Sequence, residues 1–203
     1  YMVQGDWNLP GSPFDGMTPQ TPTALLEMLR ETDPDLEGTK IMPAYGTVIQ
    51  GEVGTAEEIA PVDPAFLDFF RLDLAAGSRD ALKVPQNAVL SESAAERYFP
   101  SGNPIGKTIT IAHDDGPKNY TVGAVLRDLP ANSQFDFSIL IPTAQATSPE
   151  LIAEQRNLGA LSALTYVRLE TPAERQAFVG KMPAFIAQYG EDLGEDPAAM
   201  LSY

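Results

Sequence analysis

The sequence predicts an α+β fold, and three observations carry that prediction. Short runs rich in β-branched and aromatic residues recur along the chain, and between them apolar residues fall at helical spacing, with no uniform strand–helix repeat. Apolar residues make up 43% and charged residues 20% of the 203 positions, enough to build the core of one large domain or two smaller subdomains. No uninterrupted apolar run is longer than the four residues of Ala184–Ala187, so no segment has the length of a membrane-spanning helix or a signal-peptide core.

The elements follow in order. The chain opens on Tyr1 and a Pro/Gly-rich lead, GDWNLPGSPFDGMTPQTP, which reads as part of something longer. From Thr23, TALLEMLRETDPD sets Ala24, Leu25, Met28 and Leu29 on one helical face, with the threonine at its start and Pro34 just past its end. KIMPAYGTVIQGEVGTAEEIAPV predicts strands around Thr47–Ile49 and Glu52–Ile59, with Gly51 and Gly54 marking a turn or bulge between them. Asp63-Pro64 should open a short helix carrying Phe66, Leu67, Phe69 and Phe70, an aromatic cluster that belongs in a core. NAVLSESAAERYF runs from a strand at Ala88–Leu90 into a helix capped either by Ser91 or by Ser93, the latter with Glu96 completing a capping box. After the PSGNPIG turn come a strand at Thr108–Ala112, a loop HDDGPKN, and YTVGAVLRDL pairing back as a hairpin. SQFDFSILIP, alternating Phe135, Phe137 and Ile139, predicts another strand; a helix near Glu150–Asn157, a strand LTYVRL and a long helix from Pro172 to about Tyr189 complete the chain.

Charge and composition exclude several classes. Asp and Glu number 28 against 13 Lys and Arg, a formal charge of −15, so nucleic acid and other polyanions would be repelled, and no face is suited to lie flat on anionic lipid. The absence of cysteine removes disulfides, thiolate metal sites and cysteine nucleophiles.

The motifs with chemical overtones each have a simpler reading. GNPIGKT ends like a phosphate-binding loop, but Ser101 stands where the first glycine belongs, Pro104 removes an N–H donor, and TITIA after Lys107 reads as a strand where a P-loop needs a helix. We therefore expect a turn with Lys107 on the surface. His113 beside Asp114, Asp115 and Gly116 reads as a solvated hairpin turn, and being the only histidine it excludes two-histidine metal sites. Neither DDG nor DPDLEG at Asp33–Gly38 has the alternating acids and terminal glutamate of a calcium loop, and GEDLGED at Gly190–Asp196 reads as a solvated helix end. Ser91 and Ser93 lack a Gly-x-Ser-x-Gly elbow and a base, so capping accounts for them. With 28 acids, a carboxylate-pair hydrolase stays open. No catalytic residue, cofactor or metal is expected.

Taken together, VDPAFLDFFRLDLAAGS, NAVLSESAAERYFPSGNPIGKTITI, YTVGAVLRDLPANSQFDFSILIP and LTYVRLE resemble the MacB-like periplasmic core domain of FtsX-type ABC transporter permeases. The matching words fall in order at Val62–Phe66, Gly77, Ser91–Phe99, Asn103–Lys107, Thr121–Val125 and Pro130–Ser133, with Ala124 as a departure where that family often carries glycine. The resemblance is good from Val62 to Leu169 and looser in the first fifth of the chain.

That resemblance implies a porter-like α/β subdomain formed by the two chain ends, residues 1–62 and 159–203, with a smaller inserted α/β subdomain at residues 63–158. It implies a domain on the periplasmic face of the bacterial inner membrane, between two transmembrane helices of its own parent chain. The implied role is non-catalytic: a cytoplasmic ABC ATPase hydrolyses ATP, and this region transmits the conformational change to a substrate or periplasmic partner protein, in a permease dimer. A free-standing periplasmic binding or adaptor protein and a carboxylate-dependent hydrolase are the alternatives.

Overall fold

The structure, a computed structural model, describes residues 1–8, 16–113, 116–146, 156, 158, 161–190 and 201–202. Strands and helices interleave around sheet-dominated cores, the α+β class expected. The chain forms two compact units, Tyr1–Lys40 with Pro149–Tyr203, and Ile41–Ser148, and the division falls inside one strand.

The first unit holds strands β1 (Gly5–Trp7), β2 (Gly16–Thr18) and β3 (Thr21–Pro22), helix α1 (Leu25–Thr32) and most of β4 (Gly38–Ile41). From the other end of the chain come β12 (Leu161–Val167), a long helix (Pro172–Tyr189, below α5) and β13 (Leu201–Ser202). β1 pairs with β2 and β13, while β12 lies between β3 and β4. Leu25, Met28 and Leu29 of α1 meet Met182, Phe185 and Ile186 of α5 in one buried cluster with Val3 and Val167. The amphipathic spacing of α1 dictates that contact. Thr23 does not cap α1: Ala24 takes the cap position, and the Thr23 hydroxyl is engaged by Ser162 instead. Up to Lys181, α5 is exposed except for the half-buried Phe178, so its second half supplies the packing around Pro183. Of the helix expected near Glu150–Asn157 only Arg156 lies within the described residues, where its guanidinium grips Glu31 at 2.6 and 2.8 Å.

The second unit holds β5 (Tyr45–Gln50), β6 (Val53–Val62), α2 (Phe66–Phe69), β7 (Leu74–Gly77) and a 3-10 turn at Arg79–Lys83. There follow β8 (Asn87–Ser91), α3 (Glu92–Tyr98), β9 (Thr108–His113), β10 (Gly116–Leu126), β11 (Ile139–Pro142) and α4 (Thr143–Ala146). The pairings close on themselves: β6 bonds β5, β5 bonds β9, β9 bonds β10, β10 bonds β8, β8 bonds β11, and β11 returns to β6. Val48, Ile59, Leu90, Ile111, Tyr120 and Ile139 from these strands form one buried cluster with Ala94, Ala95 and Tyr98 of α3. β7 stands outside the ring and, among the described residues, pairs only with the last residues of β10.

Several local expectations meet a competing force. Gly51, at φ 60°, makes the β5–β6 turn, but Gly54 lies within β6 opposite Ile49. Of the aromatic cluster expected in the core, Phe66 is buried, whereas Phe69 and Phe70 are only half-buried; in α3, Tyr98 is buried and the following Phe99 is half-buried. On this one-turn helix Phe66 and Leu67 take the inward side, which leaves Phe69 and the capping Phe70 half-buried. Phe135 and Phe137 do not join a ladder; their rings gather around Phe66, and pairing begins at Ile139. The loop expected over HDDGPKN is short, because His113 pairs with Gly116 and Pro117–Asn119 already belong to β10. The turn itself, Asp114-Asp115, lies outside the described residues.

Candidate functional site

The Asn103–Lys107 turn is tied up by its own backbone. Asn103 Oδ1 accepts the Ile105 N–H at 3.0 Å, the Lys107 N–H donates to Pro104 O at 3.0 Å, and the Gly106 N–H donates to Val122 O at 2.9 Å. A phosphate cradle needs those donors free and converging. Gly102 and Gly106, at φ 99° and 81°, supply the left-handed bends, and β9 follows at once. Lys107 is exposed; its ammonium donates to Ser101 O at 3.3 Å and lies 5.3 Å from the Phe99 ring centre. The geometry is that of a turn feeding a strand, as the sequence predicts.

Of the two serines, Ser91 is the cap: its Oγ accepts the Ala94 N–H at 3.1 Å. Ser93 turns to Asp128, which accepts both its N–H, at 3.1 Å, and its hydroxyl. These residues line a polar cleft of about 420 Å3 with Arg127, Asp136 and Ser138. The chain's one histidine is elsewhere, at the end of β9, half-buried, its Nε2 2.9 Å from the Tyr120 hydroxyl. Ser93 therefore has a carboxylate partner and no imidazole, which is a tether between α3 and the chain after β10, not a nucleophile–base pair.

Carboxylates come together in one place the sequence did not mark. Burial and the adjoining Asp136 carboxylate raise Glu58 above the ordinary carboxylate value, against a smaller opposing effect of Tyr45. Asp136 is exposed, and Glu58 does not line the cleft, so the two do not flank a substrate-sized space.

The buried polar cluster of the second unit centres on Glu57, the alternate acid of the Glu57-Glu58 pair and the one turned inward. Its Oε1 accepts the Tyr98 hydroxyl at 2.6 Å and an Arg97 guanidinium N–H. Burial alone would raise its pKa, but hydrogen bonds from Tyr98, Ser138 and Arg97 outweigh it and hold the carboxyl below its ordinary value. Burial, then the hydrogen bond to Glu57 and its charge, push Tyr98 up to about 12. A similar arrangement in the first unit buries Lys40 completely, its ammonium 2.6 Å from Thr23 O and 2.8 Å from both Glu27 oxygens. Period-two alternation could have flagged Glu57, but nothing in the sequence distinguishes it from Glu58. Among the described residues no group of three or more His, Asp or Glu could hold a metal ion, and no helix is long and apolar enough to cross a membrane.

Residues 1–185 match the family model of the MacB-like periplasmic core domain. Among solved structures, a domain of a permease protein from Porphyromonas gingivalis is 24% identical at a TM-score of 0.73, over 92% of this chain and 78% of that one. The periplasmic region of MacB from Actinobacillus actinomycetemcomitans is 17% identical, TM-score 0.58, over 88% and 80%. The extracellular domain of the noncanonic ABC-type transporter YknZ from Gram-positive bacteria is 14% identical, TM-score 0.62, over 98% and 97%. No curated protein matches the chain. With a family model covering most of its length and the same fold in these permease and transporter domains, the chain belongs to the MacB-like periplasmic core domains of ABC transporter permeases.

Proposed function

We propose that this domain is a non-catalytic transmission element: it sits on the periplasmic face of the inner membrane and passes the conformational change driven by a cytoplasmic ABC ATPase to a substrate or a periplasmic partner protein. The observation that carries the reading is the family match over residues 1–185. It is supported by Thr23 and Tyr189, near the two ends, belonging to one compact unit and the Gly102–Lys107 turn to the other, which is compatible with an insertion between two transmembrane helices. The parent permease acts as a dimer in this reading. The hydrolase alternative has the Glu58–Asp136 pair in its favour and the lack of a shared cleft against it.

Two measurements test this. The parent gene should encode apolar stretches of about 20 residues on each side of the segment; a free-standing adaptor would have none. In the full permease with its ATPase, amide hydrogen exchange within this domain should differ between the ATP-trapped and ADP states. Identical exchange in both states, with transport intact, would refute transmission.

A further inference from the structure

Within the second unit the ring gives β5, β6, β8, β9 and β11 a partner on each side over part of their lengths, whereas β7 has one partner among the described residues. β7 bonds β10 through Ala124–Leu126, and no strand among the described residues pairs with its other side. Its sequence, LAAG, has none of the charged or proline residues that usually blunt an edge. Beside it runs a groove of about 250 Å3, floored by Ala76, Ala95, Phe99 and Val125 and ended by the turn that begins at Pro100. Phe99 is half-buried here because the groove leaves one side of its ring uncovered.

The rim on the α3 side is acidic. Glu92 and Glu96 both line the groove and, four residues apart, share one face of the helix. Glu96 is exposed and makes no ion pair among the described residues, and Glu92 meets Arg127 only at 3.8 Å, between exposed side chains. Along a helix, four residues advance about 6 Å. Along a strand, two residues advance about 6.7 Å, and they point to the same face. A strand laid beside α3 thus presents alternate residues at the repeat of the two glutamates.

We propose that the β7 edge and this groove bind an extended basic segment of a partner protein. The segment adds a strand to β7, sets Lys or Arg at positions i and i+2 against Glu92 and Glu96, and covers Ala95 and Phe99 with their aliphatic stems. The proposal stands independently of the transmission reading, since it concerns what this surface recognises and not what moves it.

Fluorescence anisotropy with this chain and a labelled peptide Thr-Lys-Val-Lys-Val-Thr tests it. Saturable binding that weakens with salt is expected, with an affinity loss of about tenfold in the E92Q/E96Q double variant, each exposed pair contributing modestly. Both substitutions are on the helix surface, and circular dichroism checks that the fold is kept. Of two peptides N-methylated on alternate amides, the one whose amides face β7 should lose binding and the other keep it. The proposal is overturned by the absence of saturable binding, by equal affinity for the peptide with Glu in place of Lys, or by two N-methylated peptides that both bind like the parent. It is overturned as well by sedimentation showing a dimer of this chain that excludes the peptide, because the edge then receives a second copy.

Discussion

Truncating Phe66 to alanine probes the packing of the second unit at its most buried aromatic. The ring is 0% exposed. It meets Phe70 at 5.0 Å, Phe135 at 5.4 Å and Phe137 at 6.2 Å between centres, each edge-on. A buried Phe→Ala change costs about 3–5 kcal/mol through lost transfer energy and the cavity left behind. Three edge-on partners lose their contact together, which places Phe66→Ala in the middle of that range, about 4 kcal/mol. With a urea dependence of about 2 kcal/mol/M, the midpoint should fall by about 2 M, followed by circular dichroism. Phe69→Ala on the same short helix is the control: Phe69 is half-buried and meets Phe70 at 5.0 Å, so its shift should be less than half as large. Equal shifts for the two variants, or a Phe66→Ala shift under about 0.5 M, would refute the packing described here.

Lys107→Ala, at an exposed turn position, should change stability by no more than about 0.5 kcal/mol; calorimetry detecting ATP bound by the wild type and lost in the variant would overturn the turn reading. Gly77→Ala places a methyl 2.3 Å from Gly123 O and 2.5 Å from Ala124 Cα at a φ of 87°. It should cost more than about 2 kcal/mol, read as a melting shift, because the obstacle is backbone. Ser91→Ala removes the α3 cap and should cost about 1 kcal/mol in chemical denaturation. The lowered Glu57 contributes stability that is fully present above its ordinary pKa and lost as pH falls through its lowered folded-state value, so the acid limb of a stability–pH curve should flatten in Glu57→Gln. Tyr98, raised to about 12, contributes at the other limb, below the ordinary tyrosine pKa and lost as pH rises through 12, and should be a late titrator in ultraviolet absorbance.

Much of this fold was legible because local signals agreed with it. The spacing in TALLEMLRE, the Gly51 turn and the Thr-Ile alternation after Lys107 each name their own structure, and the Asn103–Lys107 turn could be told from a nucleotide loop by counting residues; the α3 cap was narrowed to Ser91 or Ser93. What stayed hidden depends on partners far apart in sequence. Ile139-Leu140 carries no sign that it will bond β6 on one side and β8 on the other, yet that double pairing closes the ring. The engagement of Thr23 by Ser162, and of Ser93 by Asp128, diverted hydroxyls that a local reading assigns to capping. Glu57 and Glu58 are neighbours with opposite fates because strand alternation turns one inward, and only Tyr98 and Arg97 reveal which.

Val62 is paired on both sides, with Ile41 antiparallel and Pro142 parallel. Adjacent strands stand about 4.8 Å apart, which puts the entry and exit of the Ile41–Pro142 stretch about 10 Å from each other. About three extended residues cover that span. The stretch is therefore a cassette: its ends could be joined by a short linker to give a circular or permuted chain, and any replacement need only present two ends at the same separation.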